Sequence, residues 1–330
     1  MKTSFAIIGC GRISGRHADQ IIGIGNLKAV CDIIPEMAEE MATKYGAKAY
    51  YNIDELLAKE KDIDIVCICT PNGLHAEHSI KALKAGHHVL CEKPLSICVE
   101  DGKMMIDAAT KASRKLFVVK QNRYNPPVAF LKELIVNDKL GKIFSFQINC
   151  FWNRPNEYYT DWKGTKDLDG GTLYTQFSHF IDLLYWLLGD VSSIKTMGKN
   201  YAHKSIAFED TGMVLFEMKS GAIGSLNYTV NSFNTNMEGS ITVFAENGTI
   251  KVGGQYLNEL EYCNVKGIEQ PDLPKGNPAN GYGFYKGSMS NHDKVYEHLL
   301  IALHNDEHEF ANAADGLKTV EIIEKIYRNL

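Results

Sequence analysis

Long apolar runs are missing from this 330-residue chain, and so is an excess of charge of one sign. The longest apolar stretch, Phe180–Leu188, is interrupted by Asp182. It falls far short of the roughly 20 residues that cross a bilayer, so no transmembrane helix and no membrane partner are expected. Thirty-five Lys and Arg stand against 40 Asp and Glu, a net charge of −5. So mild and even a balance argues against nucleic acid as a partner. The opening segment carries one Lys and a short apolar run ending at Gly9, too little for a secretory leader. A cytoplasmic location is the expectation. A disulfide framework is also absent: the eight cysteines lie mostly within apolar strand-like runs, where they read as buried free thiols. Cys67 and Cys69 share one strand face without a second pair nearby, and no His and carboxylate set has persuasive ligand spacing. No metal is expected. Internal repeats and low-complexity tracts are lacking too.

What is present suits a large globular core: 45% hydrophobic and 23% charged residues over a length that favours two domains. The first third alternates apolar runs (Phe5–Ile8, Leu27–Cys31, Ile63–Cys69, Val89–Cys91, Phe117–Val119) with amphipathic stretches. Continuous Val/Ile/Cys runs suit parallel strands covered on both faces, which predicts a doubly wound α/β sheet. Pro35 reads as an N1 proline, Asn52 as a helix cap, and Gly46 and Gly86 as helix C′ positions. After about Gln121 the rhythm changes. A helix over 128–136, a strand over 142–152 and one helix over 172–188 precede several period-two strands with Ser220–Gly221 and Asn247–Gly248 turns. Residues 264–288, with three of nine prolines, read as a loop, and two helices close the chain. The expected domains are 1–121, which binds a dinucleotide, and 122–330, an α+β domain with a large, mainly antiparallel open sheet.

Gly9-Cys10-Gly11-Arg12-Ile13-Ser14 follows the first strand and opens the first helix. Gly9 permits the tight turn, Gly11 lets backbone N–H groups approach a pyrophosphate, and Ser14 replaces the third glycine of the fingerprint. Asp32, 21 residues beyond Gly11, stands where an acid binds the ribose 2′-hydroxyl. Ile33 and Ile34 offer no arginine for a 2′-phosphate, so NAD is expected. Thr70-Pro71-Asn72 and Glu92-Lys93-Pro94 close two later strands, and strand carboxyl ends are where such sheets bind ligands.

In this order and spacing the chain resembles the glucose–fructose oxidoreductase/inositol dehydrogenase family across essentially its whole length. The resemblance implies a Rossmann domain followed by a large open sheet, with Lys93 and a helix-borne His179 as catalytic groups. His179 shares a helix face with Thr175, Asp182 and Trp186, and Asp182 is expected to orient it. Thr175 stands where many family members carry an aspartate, a departure from the inositol dehydrogenase pattern. Further motifs resemble the branch that oxidises UDP-N-acetylglucosaminuronate at C3: Gln121-Asn122-Arg123-Tyr124-Asn125, Asn153-Arg154-Pro155, Tyr158-Tyr159 and Trp162-Lys163-Gly164. By that resemblance Gln121, Trp162, Lys163, Glu92 and His75 reach the cofactor along with the glycine loop and Thr70–Asn72. Arg123 and Arg154 are candidates for substrate carboxylate and pyrophosphate, because guanidinium forks match both. Tyr124, Asn153, Tyr159, Thr175, Gln176, Ser290 and Asn291 complete the expected substrate contacts. Expected partners are thus NAD, a UDP-sugar and further copies of the chain, as a dimer or tetramer. Oxidation of a free sugar or inositol, and a non-catalytic NAD sensor, stay open; the latter sits poorly with the presence of both Lys93 and His179.

Overall fold

The computed structural model describes residues 2–283, 285–305 and 310–330. They form two compact units. Unit 1 holds residues up to 120 together with 167–169 and 292–320, and unit 2 holds 121–166, 170–291 and 321–330. The chain leaves unit 1 after Lys120 and returns to it over 292–320, a return with no local signal in the sequence.

In unit 1, β1 (Ser4–Ile8), α1 (Ser14–Ile24), β2 (Asn26–Cys31), α2 (Pro35–Tyr45), β3 (Lys48–Tyr50), α3 (Ile53–Lys59), β4 (Ile65–Ile68), α4 (His75–Lys84), β5 (His88–Cys91), α5 (Val99–Ala112) and β6 (Leu116–Val118) follow in turn. All six strands are parallel, in the order β3-β2-β1-β4-β5-β6. Every residue of β1 and β4 is buried, as a strand covered by helices on both faces must be. Local chemistry sets the helix ends. Pro35 opens α2, and Gly46 closes it at φ 69°. The Asn52 side chain accepts from the Asp54 and Glu55 amides at 2.8 and 3.1 Å. The strand order reverses direction between β1 and β4, leaving a crevice at their carboxyl ends.

Unit 2 begins with α6 (Pro126–Val136) and β7 (Ile143–Phe151), then α7 (Thr172–Thr175) and α8 (Ser178–Leu188). Here the single helix expected over 172–188 is broken at Gln176 and Phe177. Strands β8 (Val191–Lys199), β9 (Thr211–Met218), β10 (Ile223–Thr229), β11 (Glu238–Ala245), β12 (Gly248–Gly253) and β13 (Glu259–Val265) complete a seven-stranded sheet, ordered β13-β12-β11-β7-β10-β9-β8. Its pairings are antiparallel except β7 with β10. The stretch read as loop contains a small hairpin, β14 (Ala279–Gly281) with β15 (Lys286–Met289). Helices α9 (His292–His304) and α10 (Ala313–Arg328) end the chain. One sheet face packs under α8: the Trp152 ring lies 5.3 Å from Phe177 and 5.9 Å from Phe180. The other face is open, because along β9 Met213, Leu215 and Glu217 are exposed while Val214, Phe216 and Met218 are buried.

Candidate active site

The turn from β1 into α1 carries the nucleotide signature, and its two glycines do different work. Gly9 sits at φ +94°, and a Cβ there would meet the Cys69 carbonyl and the Thr70 amide at 2.7–2.8 Å. It is required by the backbone of the strand next door. A Cβ on Gly11 would meet nothing within 4 Å, so this position is open ground above the start of α1. That open approach is what a pyrophosphate needs at a helix N-terminus. Asp32 stands at the end of β2 with Oδ2 accepting from the Cys10 amide at 2.8 Å and Oδ1 from the Ile34 amide at 2.9 Å. The carboxylate therefore shapes the glycine loop. Arg12 is exposed, and Ile13 is the residue from which α1 starts. Burial, then the Asp32 charge, pushes the Cys10 thiol up to about 12, an unreactive thiol. These residues fit a dinucleotide.

Next to this loop, the ends of β4 and β5 form a tightly bonded turn. Asn72 donates to the Asp169 carbonyl at 2.9 Å, so it braces the 167–169 segment of unit 1. His75, expected at the cofactor, is buried with Nδ1 2.7 Å from the Pro94 carbonyl and Nε2 2.9 Å from that of Thr70. Burial keeps the ring neutral, so only one nitrogen donates, and the shorter contact assigns that bond to the Pro94 carbonyl. Glu92 points inward too, with Oε1 accepting from His17 Nε2 at 2.8 Å and from His292 Nε2 at 3.4 Å. Lys93 is half-buried and follows Glu92 directly, while Thr70 and Pro71 are half-buried beside them. Sequence reading missed the cluster of His17, Glu92 and His292, whose donor atoms all lie within 4.8 Å of one another. No spacing rule reveals it, because the three residues meet only through the fold.

In unit 2, α8 presents His179 and Asp182, both buried. Gln121 Nε2 lies 3.2 Å from His179 Nε2. An amide N–H only donates, so this ring nitrogen accepts and the imidazole proton sits on Nδ1. Asp182 receives Arg123 as a fork, Nε to Oδ2 at 2.9 Å and Nη2 to Oδ1 at 2.8 Å. The guanidinium expected to meet substrate is thus engaged internally, stacked besides on the Trp186 ring at 5.1 Å. Arg154 differs. It is 2% exposed, its Nε donates to Gln176 at 2.6 Å, and its Nη1 donates to the Asn153 carbonyl and to Asn236. The rings of Trp152, Tyr158 and Tyr285 surround it at 5.0–5.5 Å. Burial draws its pKa down, yet an arginine stays charged. Among the described residues no carboxylate pairs with it.

Several expected substrate contacts turn out to be braces around these groups. Gln176 holds Arg154 and the Tyr158 hydroxyl, and Asn153 donates to the Ser232 carbonyl. Asn291 donates to the Gln121 carbonyl and to Asn125, fixing the segment that carries Gln121. The Ser290 carbonyl accepts from Asn277, and its amide donates to Pro278. Tyr159 packs edge-on to Tyr158 and His203, while Lys163 lies 4.5 Å over the Trp162 ring. Tyr124 and Thr175 are half-buried. The buried Gln121 Oε1, Asn122 Oδ1 and Ser178 Oγ, all close in sequence to Gln121 or His179, lack hydrogen-bond partners. Such unmet polar atoms at a site are what a polar ligand satisfies.

The model of an oxidoreductase family with an NAD-binding Rossmann fold matches residues 3–120, and the GFO/IDH/MocA C-terminal domain matches 128–251. The chain belongs to the GFO/IDH/MocA oxidoreductase family. It is an NAD-dependent oxidoreductase acting on CH–OH groups. It is similar to the WlbA dehydrogenase of Chromobacterium violaceum, solved with NADH and UDP-GlcNAcA: 35% identity, 99% of this chain, 93% of that one, TM-score 0.90. The Bordetella pertussis WlbA complex is similar at 34% identity, 100% and 96% coverage, and TM-score 0.89. A glucose-6-phosphate 3-dehydrogenase of Bacillus subtilis is 27% identical over 97% of this chain and 94% of its own length. Among the described residues, no helix is long and apolar enough to cross a membrane.

Proposed function

We propose that this family member oxidises the C3 hydroxyl of UDP-N-acetylglucosaminuronate, a step towards surface polysaccharide. The observation that carries the anionic substrate is Arg154, a guanidinium buried without a carboxylate. An uncompensated buried charge is costly to a fold, and a substrate anion would relieve it. Likeness to two WlbA enzymes solved with UDP-GlcNAcA supports the uronate. Bound NAD would supply the hydride acceptor, held by Gly9, Gly11, Arg12, Ile13 and Asp32 with Thr70–Asn72. Gln121, Trp162 and Lys163 are the proposed further cofactor contacts.

Lys93 Nζ is the proposed acceptor of the hydroxyl proton, the part of a general base. His179, with its Nε2 lone pair occupied by Gln121, is proposed to bind the substrate by a hydrogen bond rather than take the first proton. Asp182 anchors Arg123 and thereby the wall beside His179. A sugar phosphate would also satisfy Arg154, and the Bacillus relative's name makes that the second reading. For association, the open sheet face with Met197, Met213, Leu215 and Ile223 exposed is the proposed contact with a second copy.

The test is NADH formation across UDP-N-acetylglucosaminuronate, UDP-N-acetylglucosamine, glucose 6-phosphate, glucose and inositol. Turnover on the uronate far above the others is expected, and preference for an uncharged sugar would refute the reading. Lys93→Ala or His179→Ala should each lower kcat by about 10²–10⁴-fold, with the double variant little worse than the poorer single.

A further inference from the structure

We propose that Glu92 is a positioning residue for Lys93, the terminus of a buried hydrogen-bond chain running through His17 to Tyr296 and Cys67. The proposal rests on the catalytic reading of Lys93 above. Glu92 ends β5, is 6% exposed, and uses both oxygens: Oε1 for the two histidines, Oε2 for the Lys93 backbone N–H at 3.1 Å. A carboxylate only accepts, so His17 Nε2 must carry its proton toward Glu92. His17 Nδ1 is then an acceptor, and the Tyr296 hydroxyl 2.8 Å away donates to it. The hydroxyl oxygen in turn accepts from the Cys67 thiol at 3.2 Å. The ionised carboxylate therefore fixes the direction of every hydrogen bond from β4 through α9 and α1 to the peptide of Lys93.

Protonation of the cluster agrees with this direction. Burial works against the Glu92 charge, but bonds from His17 and His292 outweigh it and hold the carboxyl well below its usual range. Burial keeps His17 neutral by lowering its pKa. One negative charge is thus enclosed where an apolar side chain would serve packing as well. What the carboxylate adds is a fixed acceptor for the amide of Lys93. On the far side of the same residue, His75 grips the Pro94 carbonyl at 2.7 Å. The main chain is clamped before and after Lys93, which fixes the Cα from which its side chain reaches. The donor spacing would also suit a cation, but hydrogen bonding already accounts for every nitrogen and oxygen of the cluster except His292 Nδ1.

A double-mutant cycle on kcat tests the proposal, read as NADH formation from UDP-N-acetylglucosaminuronate. Glu92→Gln keeps the shape and removes the charge; misplacing a reacting group by an ångström costs about 10²-fold, so a loss of about 10- to 100-fold is expected. The Kd for NAD should stay within about threefold. In a Lys93→Ala background the same substitution should have almost no further effect, because its target is gone. A purely structural Glu92 would instead lower kcat by the same factor in both backgrounds, and that result overturns the proposal. Should Glu92→Gln fail to fold, His17→Gln offers the cycle again, with a smaller loss that is likewise masked by Lys93→Ala. A stoichiometric metal in the purified protein, lost in His17→Gln, would also overturn it. The catalytic reading fails separately, if Lys93→Ala alone retains kcat.

Discussion

Replacing Asp182 by Asn leaves the Arg123 fork facing a neutral amide. The two side chains are 10% and 3% exposed and share two short, parallel bonds, so water does little to soften the change. Breaking one partner of such a buried pair costs about 3–5 kcal/mol. Asn keeps one acceptor oxygen, and Arg123 keeps the Trp186 ring, so the lower end, about 3 kcal/mol, applies. For a unit of this size each kcal/mol moves Tm by about 2–4 °C, giving a fall of about 6–12 °C. Arg123→Met should cost a similar amount by taking both fork bonds from Asp182. The pair Arg123→Met with Asp182→Leu should recover most of both losses, since apolar replacement of a buried pair is often neutral. Thermal unfolding followed by near-ultraviolet circular dichroism, with and without NAD, measures all four proteins. Additive losses in the double variant, or an Asp182→Asn protein melting within 2 °C of the parent, would refute the ion-pair account. A selective rise in KM for the uronate in Arg123→Met, with Tm unchanged, would return Arg123 to the substrate.

Two substitutions in one loop should separate folding from binding. Gly9→Ala places a methyl against the Cys69 and Thr70 backbone at a left-handed φ, so loss of soluble folded protein is expected in expression and melting assays. Gly11→Ala should leave Tm unchanged yet weaken NAD by about 10-fold or more, measured by calorimetry; equal effects at both positions would contradict the geometry. Leu215→Glu on the open sheet face should reduce the particle mass seen by light scattering, and an unchanged mass would remove that face as the contact between copies.

Most of unit 1 up to β6 was legible because its signals are local, whereas the three-residue β3 and the return over 292–320 were not. Pro35, Gly46 and Asn52 act on neighbouring backbone, and the apolar runs of β1 and β4 need no partner to be recognised. Asp32 could be located by counting from Gly11, although its bond to the Cys10 amide could not. The break between α7 and α8 was hidden, because residues 172–188 contain no proline or glycine and keep a helical apolar period. Tertiary contacts made it: Gln176 turns to Arg154 and Tyr158, and Phe177 turns to Trp152 and Tyr228. β13 escaped notice for the opposite reason. It is an edge strand whose Glu259, Glu261 and Asn264 blur the alternation that marks a half-buried strand. Gln176, Asp182 and His292, which meet Arg154, Arg123 and Glu92, lie 22, 59 and 200 residues from them, beyond any motif. The arginines were recognised as chemistry before their surroundings could be known.

Strand β7 lies at the centre of its sheet, with β10 on one side and β11 on the other. Both neighbours emerge from the ribosome long after it does. Between Phe151 and Ile223, translation at about 5–20 residues/s leaves β7 waiting on the order of 4–14 s for its first partner. Its sequence, Ile-Phe-Ser-Phe-Gln-Ile-Asn-Cys-Phe, has no charge and no proline, the composition of a segment prone to pair with other chains. The nascent protein therefore passes through a period when its most adhesive strand is the one without a home. Arg154, three residues past that strand, reaches its aromatic enclosure only after Tyr285 has been made, so the anion site is among the last features to exist.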